Sequence, residues 1–169
     1  MVHVVIRSES PDDYAAIRHV NEAAFGTSEE ATLIEQLRTD GVVLLSLVAV
    51  MDGRIVGHIL FSRMSIDTTV GRVAAVALAP LAVSPDCQRK GIGGTLIRHG
   101  LNALREMAER TVIVVGHPEY YPRFGFSTAV VQAVKHPFPA NVFMALELEP
   151  GALNGVVGKV QYPTAFGIA

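Results

Sequence analysis

Residues 83–96, with the sequence VSPDCQRKGIGGTL, place three glycines directly behind two cations and in front of a helical pattern. The free N–H groups of a first helical turn converge on one point, where the helix dipole adds about half a positive charge. Because glycine has no side chain, a diphosphate could come within hydrogen-bonding distance of the backbone of residues 91–94. Arg89 and Lys90 add formal charge at the rim. The pattern predicts a site for a diphosphate.

Two other phosphate-binding loops fit these residues less well. A Walker A loop has its lysine after the glycines, whereas Lys90 precedes them. A Rossmann fingerprint requires a third glycine, and Leu96 stands at that position. A plain glycine-rich helix start would not require Gln88, Arg89 and Lys90 in front of it. The stretch therefore favours a specific anion site over these alternatives.

A second distinctive segment, GHPEYYPRFGF, occupies residues 116–126. Residues 83–93 resemble motif A of the GNAT N-acetyltransferases, whose pattern is Gln or Arg, two residues, Gly, one residue, and Gly or Ala. Residues 116–126 resemble motif B of the same superfamily. The tyrosine pair before RFGF is particularly similar to the YhbS-like branch. The resemblance extends over about residues 2–148.

The resemblance implies a mixed α/β, GNAT-like fold with a central, mixed and splayed β-sheet flanked by helices. Residues 1–148 would form the acetyltransferase domain, and residues 149–169 a C-terminal extension of the same domain. Acetyl-CoA would be the acyl donor, without a metal, and a primary amine would attack it directly. The acceptor stays open between a small-molecule amine and a protein lysine or N-terminal amine. A non-catalytic acyl-CoA-binding or sensing module with the same loop is the alternative from a different class.

The resemblance also assigns roles to individual residues. The pantetheine arm of acetyl-CoA would pair with the central strand at Leu81 and Val83. Since Pro80 has no N–H, the N–H of Leu81 would polarise the thioester carbonyl. Tyr121 lies four residues before Gly125, where the superfamily has the tyrosine that protonates the leaving thiolate. The predicted catalytic residues are Tyr121 and Leu81. The predicted cofactor-binding residues are Leu81, Ala82, Val83, Gln88, Arg89, Lys90, Gly91, Ile92, Gly93, Gly94, Thr95, His117 and Tyr121.

The sequence does not assign a general base. An amine with a pKa of about 10 must lose a proton before it attacks. The central strand has no carboxylate between Arg72 and Asp86. Glu22, Glu29 and Glu119 could act through water, but they fit solvated helix faces equally well.

Three further residues with reactive side chains lie in or next to the motifs. His117 follows a short apolar strand and is expected near the cofactor, whereas Tyr120 is expected to pack and Cys87 to be a bystander. The six histidines have no ligand-like spacing, which argues against a metal site. A single cysteine excludes an internal disulfide.

Hydrophobic periodicity and turn residues predict the elements that position these motifs. Helices are expected to start at capping sequences around Ser10 and Thr27, the second ending at Gly41. Asp52-Gly53 predicts a type I′ hairpin turn, and Pro80 predicts a bulge or splay in the central strand. The predicted strands are residues 2–7, 42–51, 54–62, 70–83, 111–115, 126–132 and 141–148, with an edge strand at 158–162, a main helix over 92–108 and a brief helix or turn over 118–124.

Composition limits the class of protein. The chain has 169 residues, a net charge of −2 and 18% charged residues, which is typical of one globular domain without a nucleic-acid footprint. The longest apolar run, residues 73–83, is too short for a membrane-spanning helix. With no recognisable signal peptide, a cytoplasmic protein without membrane or nucleic-acid partners is expected. A homodimer is left open.

Overall fold

A mixed, open β-sheet forms the centre of the computed structural model, which describes residues 3–168. Three α-helices lie against this sheet in the described part of the chain. The helices are α1 (Tyr14–Phe25), α2 (Glu29–Thr39) and α3 (Ile92–Glu106). The strands are β1 (Val5–Ser8), β2 (Val43–Met51), β3 (Arg54–Thr68), β4 (Gly71–Val83), β5 (Thr111–Val115), β6 (Val134–Lys135), β7 (Phe143–Glu147) and β8 (Gly158–Gln161).

The strand order is β1-β2-β3-β4-β5-β7, and β8 pairs with both β3 and β6. The β4–β5 and β6–β8 pairs are parallel, and the remaining pairs are antiparallel. This is the mixed α/β architecture, with a mixed sheet flanked by helices, that the sequence predicts.

The two faces of the sheet bury different helices, because successive side chains of a strand point to opposite faces. Leu96 and Leu104 of α3 pack with Phe61 on one face. Ile17 of α1 packs with Leu60 on the other, where α2 also lies. On the first face α3 lies very close to the sheet, since a Cβ at Gly100 would be 2.4 Å from the Phe61 ring.

Several local predictions are confirmed at element boundaries. Asp52 and Gly53 both have positive φ, 52° and 74°, as a type I′ turn requires. The Asp13 carboxylate accepts a hydrogen bond from the Ser10 backbone N–H at 2.7 Å, and a short 3₁₀ turn leads into α1. Gly41 follows α2 with a φ of 70°. The cap of α2 is Ser28, one residue after the predicted Thr27.

One predicted strand is wrong. Residues 126–132 make only an isolated bridge from Ser127 to Ala145 and then form the 3₁₀ turn Ala129–Val131. The Ser127 hydroxyl accepts a hydrogen bond from the Ala129 N–H at 3.0 Å, and this local turn competes with extended pairing. The apolar residue Val131 is buried through that turn instead.

Other strands differ from prediction in extent or position. β1 begins at Val5, and the predicted residue Val2 lies outside the described residues. β3 continues to Thr68, well beyond the predicted residue 62. β8 forms within the predicted segment, but it lies between β3 and β6 and is not an edge strand. Within residues 3–168, no helix is both long and apolar enough to cross a bilayer.

Candidate functional site

A cavity of about 960 Å³ opens where β4 and β5 separate. Their parallel pairing is confined to Val76 with Val112 and Ala77 with Ile113. The loop before α3 and the 3₁₀ turn Tyr121–Phe124 form its other walls. The cavity is lined by Phe25, Leu81, Val83, Cys87, Gln88, Arg89, Gly91, Ile92, Gly93, Gly94, Arg98, Val115, Gly116, His117, Tyr120, Tyr121, Arg123 and Phe124.

The end of β4 presents backbone groups to this cavity. The register of β3 and β4 shifts between Ile59 and Phe61, so that two β4 residues, one of them Pro80, lie opposite one β3 residue. This is the predicted bulge. Past the bulge, the Ser84 N–H donates to the Val56 carbonyl at 2.8 Å. Since every second residue of an antiparallel strand bonds to its partner, this bond shows which β4 residues face β3 and which face away.

Because of this alternation, the three β4 residues predicted to bind the cofactor, Leu81, Ala82 and Val83, do not all direct their backbone groups the same way. Ala82, opposite His58, lies two pairs from Ser84 and directs its N–H and C=O toward β3. Leu81 and Val83 direct theirs away from β3, toward the gap left by β5. The side chain of Ala82 is also buried and does not line the cavity. The prediction of Ala82 as a cofactor-binding residue therefore lacks support from its position, whereas Leu81 and Val83 present backbone groups to the gap.

The loop before α3 is held in a defined conformation by its own side chains. Asp86 accepts hydrogen bonds from the Ser84 hydroxyl at 2.6 Å and the Arg54 guanidinium at 3.1 Å. These two bonds lower the pKa of Asp86 to about 2. The Gln88 amide donates to the Val83 carbonyl at 3.0 Å, and this ties the loop to the end of β4. The loop therefore has a fixed position relative to the strand.

The glycines leave the first turn of α3 open to the cavity. Gly91 caps the helix with a φ of 82°, a conformation that favours glycine. A Cβ at Gly93 would lie 2.9 Å from the Tyr120 hydroxyl, and one at Gly94 would lie 3.2 Å from the Arg98 guanidinium. A side chain at either position would therefore fill space that borders the free amides of the helix start.

Two tyrosines from the 116–126 segment face this helix start. Tyr121 packs edge-on against Tyr120 and Phe126, with ring centroids 5.1 and 5.8 Å apart. Its ring also covers Gly116, where a Cβ would lie 2.3 Å from a ring carbon. Burial raises the pKa of Tyr121 to about 12, so its phenol stays protonated at neutral pH. Burial also raises the pKa of Tyr120.

A chain of buried polar groups lies behind β4 and fixes α1 to the sheet. The Asn21 amide is 3.3 Å from Nδ1 of His58, whose Nε2 is 2.8 Å from the Ser46 hydroxyl. Ser46 in turn donates to Glu9, which also accepts two hydrogen bonds of 3.0 Å from Arg38. Because the Asn21 side-chain nitrogen can only donate, His58 accepts at Nδ1 and donates from Nε2. Burial lowers the pKa of His58 to about 4, and the ring is neutral.

The cavity gathers most, but not all, of the predicted site residues. Lys90 is exposed and does not line it. The hydroxyl of Thr95 donates to the Gly91 carbonyl at 2.9 Å, inside the helix. Phe25, Arg98, Arg123 and several other lining residues were missed by sequence reasoning. Tyr120, predicted as a packing residue, does contact its neighbours but also lines the cavity.

The charged side chains that line the cavity are basic. Its lining residues include three arginines and His117, and no Asp or Glu among the residues described. Glu22, Glu29 and Glu119, the carboxylates weighed as bases, are not part of the lining. Cys87 is buried and 3.7 Å from the Arg54 guanidinium. Across residues 3–168, no three His, Cys, Asp or Glu side chains cluster as metal ligands would.

Comparison with known proteins gives relatives for both the sequence and the fold. Residues 5–129 match the acetyltransferase (GNAT) domain. The uncharacterised N-acetyltransferase YhbS of Escherichia coli is 34% identical over 166 residues, which cover 96% of this chain and 98% of that protein. The uncharacterised N-acetyltransferase YjhQ of the same organism is 44% identical over 126 residues, covering 73% of this chain and 67% of that one.

Two solved structures have the same fold over almost the whole chain. The structure of YhbS from Escherichia coli in complex with CoA superposes with a TM-score of 0.90 at 34% identity, covering 99% of this chain and 93% of that one. A GNAT family acetyltransferase from Brucella melitensis in complex with acetyl-CoA superposes with a TM-score of 0.82 at 36% identity. That match covers 98% of this chain and 99% of the other.

Proposed function

This chain belongs to the GNAT acetyltransferase family, and from that premise we propose that it transfers an acetyl group from acetyl-CoA to a primary amine. One observation carries the proposal most directly. The open backbone of β4, the glycine-rich start of α3 and the Tyr121 ring line a single cavity. These are the parts needed to hold a diphosphate, an extended arm and a leaving sulfur. The relatives solved with CoA and acetyl-CoA support the same donor.

Acetyl-CoA fits the donor chemistry of these residues. The diphosphate would accept hydrogen bonds from the free amides of residues 91–94, with Arg89 beside them. The amide-bearing pantetheine arm would pair with Leu81 and Val83, whose N–H and C=O groups face the gap. Since the Gln88 amide holds the Val83 carbonyl, the groups left for the arm are the Val83 N–H and both groups of Leu81. Bound acetyl-CoA supplies the activated acyl group, and the protein supplies its position.

The reaction then requires two groups of different kinds, a hydrogen-bond donor to the oxygen and a proton donor to the sulfur. The Leu81 N–H would donate to the thioester oxygen as charge develops on it. The uncharged acceptor amine forms the new C–N bond and loses one N–H proton to a base, and the C–S bond breaks. The Tyr121 phenol would donate its proton to the departing sulfur and regain one from solvent. Because burial keeps the pKa of Tyr121 at about 12, its hydroxyl stays a proton donor over the neutral pH range.

The charge of the cavity wall limits which amines can bind as the acetyl acceptor. A polycationic amine would find no carboxylate to pair with its further charges among the described lining residues. A charge removed from water without a partner costs binding free energy, which is a common source of discrimination. We therefore expect acceptors with a single amine and no further cationic group. His117, which is exposed on this wall, is a side chain that could accept the amine proton.

The direct test is a thiol-release assay with acetyl-CoA across a panel of amines. The panel contains mono-amines, amino-acid esters, peptides with a free N-terminus, lysine peptides and polyamines. Release of CoA thiol together with a mass increase of one acetyl group on a mono-amine supports the proposal. The peptide members decide between a small-molecule and a protein acceptor, and preference for polyamines would contradict the charge argument.

A non-catalytic acyl-CoA-binding module is separated from the enzyme by pairing this assay with thermal unfolding. A ligand that binds only the native state at a hundredfold excess over Kd adds about 2.7 kcal/mol of stability. Stabilisation by acetyl-CoA without turnover of any amine would favour the binding module. Unchanged melting in millimolar acetyl-CoA, with ATP or NAD stabilising instead, would refute acetyl-CoA as the ligand.

A further inference from the structure

The arginines of this chain fall into two groups. The sequence has eleven, and seven of them form an ion pair with a carboxylate. Within residues 3–168, the other four have no carboxylate within ion-pair distance. They are Arg89, Arg98, Arg105 and Arg123. All but Arg105 line the same cavity. In a chain with a net charge of −2, this concentration of unpaired cations indicates a ligand with more than one anionic group.

Arg98 is held beside the phosphate-binding loop by its neighbours. It lies one helical turn beyond Gly94, and long side chains on a helix point back toward its N-terminus. Its Nη1 atom is 3.2 Å from the place of a Gly94 Cβ, and its guanidinium carbon is 5.0 Å from the Phe124 ring centroid. Gly94 and Phe124 therefore hold the guanidinium over the first turn of α3, with its N–H donors unused by carboxylates.

Arg123 is held in a similar way on the facing wall. Its guanidinium carbon lies 4.6 Å from the Tyr120 ring centroid, and its Nε donates to the Tyr120 carbonyl at 3.4 Å. The Tyr120 and Phe124 rings are themselves in edge contact, with centroids 5.2 Å apart. Adjoining rings thus orient both guanidinium groups, and stacking leaves a planar guanidinium free to bind phosphate oxygens in pairs.

Coenzyme A has a second anionic group besides its diphosphate, a phosphate on the ribose 3′ oxygen. The loop amides and Arg89 are the groups proposed above for the diphosphate, and Arg98 and Arg123 lie beyond them, on the second turn of α3 and on the Tyr121–Phe124 turn. We infer that Arg98 and Arg123 form a subsite for the ribose 3′-phosphate and make the enzyme selective for CoA over its 3′-dephospho form. This inference rests on the proposed donor.

The test measures the Kd of CoA and of 3′-dephospho-CoA by calorimetry, for the wild type and for Arg98→Gln and Arg123→Gln. Arg105→Gln is the matched control, because Arg105 is on the same helix, contacts Asn102 and does not line the cavity. We expect each site variant to bind CoA about tenfold more weakly, in line with a charge-assisted hydrogen bond, and to bind dephospho-CoA within about twofold of wild type. The control should leave both affinities unchanged.

The pH dependence gives a readout that a structural role would not produce. A phosphate monoester loses its second proton with a pKa near 6, so the wild-type preference for CoA should grow between about pH 5.5 and 7.5. Arg98→Lys keeps the charge without the planar fork and should recover only part of the affinity. Melting temperatures of all variants check the fold.

Three results would overturn the inference. Wild type could bind the two ligands equally, the site variants could weaken both ligands alike, or Arg105→Gln could reproduce their effect. The second result would assign the arginines to the diphosphate. The third would mean that any nearby positive charge has the same effect on affinity, without a specific subsite. Failure of wild type to bind CoA at all would instead refute the proposed donor, so the two failures are distinguishable.

Discussion

Replacing Tyr121 with Phe tests the catalytic core of the proposal with little disturbance of the fold. The substitution removes one hydroxyl and keeps the ring that packs against Gly116, Tyr120 and Phe126. In the described structure the Tyr121 hydroxyl has no hydrogen-bond partner within the protein. The free energy of unfolding should therefore change by no more than about 0.5 kcal/mol.

The expected loss of turnover follows from the state of the phenol. With a pKa of about 12, Tyr121 is ionised in only about one molecule in ten thousand at pH 8. Its hydroxyl is thus a donor to the developing thiolate, and a hydrogen bond to a charged group contributes about 1.5–3 kcal/mol, or about 10- to 150-fold in rate. General acids contribute about 10²–10⁴-fold. The two ranges overlap near a hundredfold, which is the expected fall in kcat.

The assay is thiol release at saturating acetyl-CoA with a confirmed acceptor, from pH 6.5 to 10. Tyr120→Phe is the matched control, because it removes the hydroxyl next to Gly93 from the same cavity. The control should change the affinity for acetyl-CoA more than kcat. Because burial raises the pKa of Tyr121, wild-type turnover should show no decline from phenol ionisation below about pH 10.

Two outcomes would refute this reasoning. If Tyr121→Phe retains kcat within a factor of two and Tyr120→Phe loses a hundredfold, the neighbouring tyrosine is the acid. If both variants stay within a factor of two, water protonates the thiolate and neither tyrosine takes part. His117 would then become the residue to test next, since it lines the same wall.

Three further variants test the loop, the packing under it and the buried histidine. Gly93→Val should weaken acetyl-CoA binding by on the order of tenfold in calorimetry, because its Cβ would meet the Tyr120 hydroxyl. If the variant keeps the wild-type affinity, the loop is only a helix start and does not bind the ligand. Gly100→Ala should cost about 1–3 kcal/mol in denaturant unfolding, since its Cβ would overlap Phe61, and unchanged stability would contradict the close packing. His58 is buried with a pKa lowered to about 4, so its contribution to stability is complete above pH 6.5 and is lost as the pH falls through 4. Unfolding between these pH values should show a loss of about 3 kcal/mol in wild type that is absent from His58→Gln, and equal slopes would disprove the assignment.

The sequence predicted those features of the fold that depend on neighbouring residues. The Asp52-Gly53 turn, the 3₁₀ turn that Ser10 caps before α1 and the bulge beside Pro80 each follow from the conformational limits of a few residues. The strand predicted over residues 126–132 is wrong, also because of a local interaction. Their composition suits a strand, but the Ser127 hydroxyl stabilises a turn that composition alone does not reveal.

The sequence indicated those cavity-lining residues that backbone geometry places there, and it did not indicate those that long side chains place there. The helix start at residues 91–94 and the end of β4 could be found from glycine positions and an apolar run. Ala82 is predicted from the sequence to bind the cofactor, yet strand alternation directs its backbone toward His58. Arg98 lies two helical turns beyond Gly91, and nothing in its immediate sequence indicates that Phe124 holds it over the loop.

The sequence by itself determined that this chain has a glycine-rich helix start and the two motifs of a GNAT acetyltransferase, because these signals are local. The tertiary structure decided which charges stay unpaired. Arg54 and Arg98 are chemically alike, but folding brings Asp86 to the first and an aromatic ring to the second. Pairing between distant residues depends on how the sheet and helices pack, and a local pattern carries no information about that packing.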